Sequence, residues 1–520
     1  MKKRIINLVF LMLLFSFISL NGNNVRIMNV VNTNPGEANP ILTFDIAWDN
    51  SWRVSTGPSN YDAVWVFVKY QKVPVGALQC ESYLDWHHAT MTNDSNYFSV
   101  GTPLTYSFVN DAMGILIYRN SDGTGNIDTT SVQVQLNLPV PTSPYDSMYN
   151  FKVFAIEMVY IPEGAFELGD GFSSYTFNSI TIDYNTTTLS SSVLGGNVSG
   201  TVPAEFPKGY KSFYCMKYEI SQQQYVDFLN TLNFNQQVTR TNLNATQLST
   251  NPGSSGICAM QASCLNRNSI KLIQEGVNNS RPGVFGCDYT TAPVDPFNSP
   301  NDGQTIAMNY LSLADFYAYL DWAGLRPMTN FEFEKIARGS GTLSRLPYEF
   351  IWGTLNITQA QSTAVNNAGK ASEVSTVTGP GLAAYGSSTS NGPLRVGFSA
   401  TSSTDRENSG AAYYGVMNLG GNVWEIVSGG YNYSNQGYKL TYANLGNGEL
   451  SASGNANVTN WLTYGGTSPY YWHFELRGGS YSSDATTLRT SDRSKNAINW
   501  GFGNTTADKR LSDVGGRGVR

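Results

Sequence analysis

The sequence predicts a small all-β sandwich domain over residues 25–138, followed by a larger, loop-rich α+β domain over residues 151–520. Two observations support this prediction. The first part contains runs of β-branched and aromatic residues separated by turns, without a helical period. The second part contains three short helical segments between long stretches of Ser, Thr, Asn and Gly. A Pro-rich linker at 139–150 is expected between the two domains, since proline removes the donors that a sheet needs.

Strands of the first domain are predicted from alternating or continuous apolar runs. The turn-forming segment Asp122–Asn126 is expected to separate the last two of them. The predicted strands are ILTFDIAW (41–48), AVWVFVKY (63–70), GILIY (114–118) and VQVQL (132–136).

The helices of the second domain are predicted from capping boxes, in which two side chains at the first turn satisfy each other's exposed amides. Each box precedes an apolar face of helical spacing, and Gly339 is placed to end the third helix. The boxes are Ser221 with Gln224, Ser312 with Asp315, and Thr329 with Glu332.

The composition excludes several classes of protein. Only 13% of the 520 residues are charged, while 31 Tyr, 25 Phe and 10 Trp supply enough apolar area for a sizeable core. Global disorder and coiled coil are therefore excluded. The formal net charge is −6 and no Lys/Arg stripe is present, so nucleic acid and anionic membrane surfaces are poor partners.

The N-terminus has the pattern of a signal peptide over residues 1–22. A basic MKKR segment precedes the apolar run Ile5–Leu20, and a polar segment follows it. We expect a secreted or otherwise extracytoplasmic protein with no membrane span after cleavage. The alternative is an uncleaved anchor helix.

Five cysteines are present, and none has the close spacing that ligates zinc. Cys258 and Cys264 could close a small disulfide in an oxidising compartment. One or two structural disulfides plus a buried thiol are expected.

Five segments, in order, make the second domain similar to the formylglycine-generating enzyme family, also called the sulfatase-modifying factor family. The resemblance implies a compact fold related to C-type lectins, with a surface cleft. The segments are EMVYIPEGAFELGD (157–170), FYCMKYEISQQQYVDFLN (213–230), LRPMTNFEFEKIARG (325–339), YYGVMNLGGNVWEI (413–426) and LRGGSYSS (476–483).

The resemblance also implies a calcium site in the NLGGNVWE segment. Its ligands map to the side chains of Asn418 and Glu425 and the carbonyl groups of Gly421 and Val423. Hard oxygen ligands suit Ca²⁺. The alternative is that Asn422 and Glu425 only brace the turn.

The family's oxidase chemistry needs two cysteines that bind copper(I). Aligning on Gly478–Tyr481 puts Ser483 and Leu488 at those positions, and neither side chain can replace a thiolate. Copper is therefore not expected. Iron is not expected either, because the chain has only three histidines, His87, His88 and His473. A metal role for the adjacent His87 and His88 is the weaker alternative to ordinary packing.

Two classes of function remain after this comparison. The first is an exported, calcium-stabilised, non-catalytic binding or structural protein whose ligand is a carbohydrate, a protein or a cell-surface molecule. The second is a formylglycine-generating or other metal-dependent oxidoreductase. For the first class, Tyr481, Asp492 and Trp500 are predicted to contact ligand, because aromatic and short polar side chains suit recognition. The alternative is that Arg489, Arg493 and Arg517 pin the last strands and Trp500 packs inside.

Overall fold

The computed structural model describes residues 24–35, 37, 39–74, 85–139, 147–196, 198, 200–290, 299–341, 345–386, 392–401, 403–429, 438–461, 474–495 and 509–520. Strand outweighs helix, at 33% against 13%, so the protein is sheet-rich with few helices. Of the described helices, none is both long and apolar enough to cross a membrane.

The N-terminal part consists of strands, and all four predicted strands are confirmed. Three of the observed strands are longer than predicted, and β8 begins at Gly123, so most of the segment predicted as a turn belongs to that strand. Its backbone pairs there with the end of β2, with Arg53 opposite Gly123. The strands are β1 (Arg26–Asn32), β2 (Ile41–Arg53), β3 (Asp62–Pro74), β4 (Trp86–Met91), β5 (Ser99–Val100), β6 (Leu104–Phe108), β7 (Ile115–Arg119) and β8 (Gly123–Asn137).

These strands form two layers around an apolar core. β8 pairs with β2 and β5, and β1 pairs with β2. The second layer is organised by β3, which pairs with β4 and β7 along one edge. Alternate residues of β3, namely Val64, Val66 and Val68, enter the core between the layers.

The sheet continues from the N-terminal part into the rest of the chain. β9 (Ser147–Ile161) begins inside the segment predicted as a linker and pairs with β3 from Ser147 opposite Pro74 to Val159 opposite Asp62. Its other edge pairs with β14 (Phe213–Met216), and β26 (Gly518–Val519) and β18 (Arg326–Pro327) follow. The opposite face of β3 joins the largest apolar core, so β3 is buried on both faces.

The three predicted helices are confirmed together with their capping boxes. Two further short helices follow the first, each opened by an asparagine box, Asn233 with Gln236 and Asn244 with Gln247. The helices are α1 (Ser191–Leu194), α2 (Gln222–Leu229), α3 (Phe234–Arg240), α4 (Ala245–Leu248), α5 (Leu313–Trp322) and α6 (Asn330–Arg338). Short 3-10 turns lie at Ser95–Tyr97, Gly253–Ser255 and Ala485–Leu488.

The remaining strands are short and pair in small ribbons. The predicted disulfide Cys258–Cys264 is confirmed and lies beside one of them. Cys215 and Cys287 are buried free thiols, and Cys80 lies outside the described residues. These strands are β10 (Phe166–Leu168), β11 (Ile180–Ile182), β12 (Leu189–Ser190), β13 (Thr201–Val202), β15 (Ile257–Cys258), β16 (Ile270–Gln274), β17 (Val284–Cys287), β19 (Thr358–Ala360), β20 (Val365–Asn366), β21 (Val374–Ser375), β22 (Leu382–Ala384), β23 (Trp424–Ser428), β24 (Phe474–Arg477) and β25 (Val514–Gly515).

Candidate functional site

The segment predicted to bind calcium is a tight turn that leads into β23. Three of its residues adopt left-handed backbone conformations: Asn418 at φ 53°, Gly421 at φ 83° and Asn422 at φ 65°. Glycine is required at 421, because a Cβ there would lie 2.5 Å from the carbonyl oxygen of Ala384. Asparagine tolerates this conformation better than other side chains do. The local sequence therefore specifies the turn.

The two asparagine side chains fasten a neighbouring segment to this turn. Oδ1 of Asn418 accepts a hydrogen bond from the amide of Gly397 at 2.6 Å, and Oδ1 of Asn422 accepts one from the amide of Leu394 at 2.7 Å. Asn422 is fully buried, so these contacts are shielded from water. Asn422 therefore braces the turn against the neighbouring segment.

Glu425 is buried at the start of β23 and pairs with Arg517. Its Oε1 accepts from Nε of Arg517 at 2.6 Å. The same guanidinium donates to the carbonyl oxygen of Met417 at 2.9 Å, which ties it to the turn. Oε2 of Glu425 is buried and receives no hydrogen bond. Burial raises the pKa of Glu425, although Arg517 opposes that shift.

A second buried carboxylate, Glu219, lies under the same turn. It accepts hydrogen bonds from Nδ2 of Asn422 at 3.0 Å and from the amide of Val423 at 3.3 Å. Burial raises its pKa well above the usual range; Arg517 opposes the shift and Glu425 adds to it. Two carboxylates therefore share one guanidinium, and the site carries excess negative charge whenever both are ionised.

The chemistry of this site fits a calcium ion. The predicted ligands are one amide oxygen, one carboxylate and two carbonyl groups, all hard oxygens. Oε2 of Glu425 is a buried acceptor that has no donor, and a cation would compensate the negative charge that arises when both carboxylates are ionised. Within the described ranges, no three His, Cys, Asp or Glu side chains gather in a metal-binding group. A cation here would therefore depend on amide and carbonyl oxygens, as the predicted set does.

The two positions at which the family has cysteines are occupied here by Ser483, whose hydroxyl group is hydrogen-bonded, and by Leu488, which lies in the core. Oγ of Ser483 accepts from the amide of Ser480 at 2.8 Å and lies 2.9 Å from Oγ1 of Thr487. Leu488 is fully buried among apolar side chains. Neither position offers a metal ligand of the soft type that copper(I) selects.

Ser480 and Ser482 both donate to Oδ2 of Asp513, at 2.9 and 2.8 Å. The carbonyl group of Asp513 accepts from the amide of Trp424 at 2.9 Å. This cluster joins the family's Gly-Gly-Ser turn to β23 and β25. It holds two hydroxyl groups beside a carboxylate, whereas the described histidines lie in β4, so the pattern of a hydrolase triad is not assembled here.

Two of the residues predicted to contact ligand are buried. Tyr481 is 3% exposed, and its amide donates to the carbonyl group of Asn422 at 2.8 Å. Asp492 is 4% exposed and accepts from the amide and hydroxyl groups of Ser494. Both side chains offer little surface to a ligand. Trp500 lies outside the described residues.

The paired histidines have different surroundings, as their adjacency in β4 predicts. Nε2 of His88 lies 2.6 Å from the carbonyl oxygen of Met113, and its ring stacks on Phe67 at 5.8 Å. His87 pairs with Glu449, with 3.4 Å between Nδ1 and Oε2. Each has an ordinary packing partner, which is the interpretation that the sequence favoured.

Sequence reasoning missed Glu219 and Asp513, and it gave Arg517 only a pinning role. Glu219 is the one carboxylate in the segment MKYEI, where Met216, Tyr218 and Ile220 surround it together with Lys217, and this was the available signal. Arg517 is flanked by glycines in GGRGVR, which marks close packing of the backbone but not its partner.

The extended sheet, the short helices and the glycine-rich turn before β23 define the class of fold. Comparison with known families identifies it: the model described as "Sulfatase-modifying factor enzyme 1-like domain" matches residues 148–504. That match spans more than half of the chain, and the chain belongs to this family, as the sequence motifs predicted. A search of curated proteins found no match. The family match begins within β9, so β1 to β8 lie outside it.

Proposed function

We propose that the chain is an exported, non-catalytic binding or structural protein built on a calcium-stabilised sulfatase-modifying factor domain. The observation that carries the proposal is the state of the two cysteine positions. Ser483 is hydrogen-bonded to Ser480 and Thr487, and Leu488 is buried in the core. Neither residue supplies a thiolate for copper.

Calcium enters the proposal as a structural ion. Asn418 and Glu425 would hold it with the carbonyl groups of Gly421 and Val423, and its charge would offset the two carboxylates that share Arg517. Glu219, already bonded to the turn, positions Asn422 and Val423. Export agrees with the basic and apolar N-terminal segment and with the disulfide Cys258–Cys264.

Metal analysis and an activity assay on one preparation test the proposal. We expect calcium without stoichiometric copper or iron. A peptide carrying a cysteine of the sulfatase type should keep its mass after incubation with the protein, copper and oxygen. Turnover of that cysteine to an aldehyde, or a bound redox metal, would favour the oxidoreductase instead.

A further inference from the structure

Four large side chains are exposed on two adjoining loops of the family domain. Phe172 is 59% exposed, Tyr175 47%, Leu346 43% and Tyr348 40%. The rings of Phe172 and Tyr348 contact each other, with 5.7 Å between their centroids. These four residues are called the aromatic patch below. Grouped exposed apolar side chains of this kind mark interaction sites more often than single ones do.

The two loops are held together rigidly. The carboxylate of Asp170 accepts from the amide of Phe172 at 2.9 Å and from the amide of Tyr348, on the other loop, at 3.1 Å. Tyr175 and Tyr348 have left-handed backbone conformations, at φ 54° and 64°, which are costly for bulky residues. Such strain persists where the surroundings impose it, and it is concentrated at binding sites. The patch is therefore preorganised.

Arg489 adjoins the patch, and among the described residues no carboxylate lies within ion-pair distance of it. The guanidinium of Arg489 lies 4.6 Å from the ring centroid of Tyr348, and its Nε is buried without a hydrogen bond. Among the described residues Arg489 forms no ion pair, whereas Arg338, Arg477 and Arg493 each pair with a glutamate. Asp492 interacts with Arg489 only at longer range, so the guanidinium can still form a close pair with an anionic group from outside the chain.

The size of the patch suits a small ligand. With about 200 Å² per large side chain, the four exposures leave roughly 400 Å² of surface. A protein partner of standard size buries about 800 Å² on each side, so these four side chains would supply only about half of such an interface. One or two sugar rings fit the smaller area, and the flat aromatic faces suit the apolar C–H face of a pyranose ring.

We propose that the aromatic patch and Arg489 bind an anionic carbohydrate, with a pyranose ring stacked on Phe172 and Tyr348 and a carboxylate or sulfate paired with Arg489. This inference rests on the proposed function as a binding protein and names its ligand class. It places the contact surface beside the buried Asp492, whose carboxylate lies within electrostatic reach of Arg489.

Isothermal titration of the full chain in calcium buffer tests the inference. The probes are tetragalacturonate, a sulfated tetrasaccharide and the carboxyl-reduced, neutral form of the first. We expect one anionic probe to bind at least tenfold more tightly than the neutral one. Whichever anionic probe binds more tightly shows whether the site prefers a carboxylate or a sulfate. Phe172→Ala should weaken binding of both charged and neutral forms at least tenfold. Arg489→Gln should abolish the preference for the anionic form, and Arg489→Lys should restore part of it.

Matched controls are Tyr97→Ala and Arg26→Gln, an exposed aromatic and an arginine in the N-terminal part, which should leave binding unchanged. Binding that survives both Phe172→Ala and Arg489→Gln would overturn the inference. So would failure of every saccharide at millimolar concentration, or tighter binding of polyglutamate that depends on the same two residues. In each case an intact effect of chelator on the melting temperature would leave the calcium-stabilised scaffold standing.

Discussion

Asn418 and Glu425 are the residues at which the calcium proposal is most directly tested. A ligand that binds only the folded state at a hundredfold excess over its Kd stabilises that state by about 2.7 kcal/mol. Chelation at constant ionic strength should therefore lower the melting temperature of the wild-type protein. Asn418→Ala should remove this response while it keeps the pair between Glu425 and Arg517. Glu425→Ala should remove it too, at a further cost of about 3 to 5 kcal/mol from the unpaired Arg517.

Asn460→Ala is the control, because Asn460 is an exposed asparagine with a similar left-handed backbone, at φ 69°. The melting temperature of the Asn460→Ala variant should still fall on chelation. If the wild-type protein melts identically with and without chelator, calcium is not a structural ion here.

Lys69 links stability to pH at the junction between β3 and the 438–461 segment. Its Nζ donates to the carbonyl group of Gly448, and burial lowers its pKa from 10.5 to about 7, although Glu449 and Asp321 oppose the shift. Between pH 7 and 10.5 the unfolded chain keeps this proton and the folded chain does not. The free energy of unfolding should therefore rise with pH in that window, by at most about 1.4 kcal/mol per pH unit. Below pH 7 both states are protonated, and this contribution is flat.

Lys69→Met removes the titrating group, so its free energy of unfolding should not rise with pH as that of the wild-type protein does. The free energy of unfolding of the variant minus that of the wild type should therefore fall as the pH rises from 7 to 9. Urea unfolding at each pH measures the difference. Lys72→Met, on the same strand but exposed, should give a curve parallel to the wild type. A parallel curve for Lys69→Met would mean that Lys69 keeps its proton when folded.

Helix α6 shows what a cap contributes in this fold. Thr329 accepts from the amide of Glu332 at 3.2 Å, and its hydroxyl donates to the carbonyl group of Pro207 at 2.8 Å. Thr329→Ala should lower the free energy of unfolding by about 1 to 2 kcal/mol, because the cap and a buried hydrogen bond are both lost. Thr329→Ser keeps both groups and should recover most of the loss in denaturant titrations. Equal losses in the two variants would assign the effect to the missing methyl group.

The same element shows why local structure was predictable from the sequence and the site was not. Thr329 and Glu332 are three residues apart, so their capping box is visible as a spacing. The short helices α3 and α4 open on asparagine boxes of the same spacing, but their apolar faces are too brief to mark a helix. Glu219 and Arg517 meet the turn before β23 only through tertiary packing, and no spacing in the sequence records that contact.

At the scale of the molecule, the continuous sheet makes the family domain depend on the N-terminal strands. Phe67 packs against Trp322 at 5.2 Å, and Nε1 of Trp65 donates to the carbonyl group of Ala323 at 2.9 Å. Residues 147–520 expressed alone would expose the apolar surface around Trp322 that β3 covers in the full chain. They would also expose the edge of β9 that pairs with β3. We expect that fragment to aggregate or to melt at least 10 °C lower, whereas the chain from residue 24 onward should melt in one transition. Calorimetry with size-exclusion chromatography measures both. A monomeric fragment with an unchanged melting temperature would contradict this dependence.

The position of β26 sets an order of events during synthesis. This strand lies between β14 and β18, and Arg517 beside it bonds to Met216, 301 residues earlier in the chain. At about 5 to 20 residues per second, a ribosome needs roughly 15 to 60 s to make that stretch. Throughout that interval β14 has β9 on one edge but no partner on the other, and Glu219 lacks the counter-charge of Arg517. The nascent chain therefore exposes one unpaired edge of β14 until β26 emerges, and an unpaired strand edge is a template for aggregation.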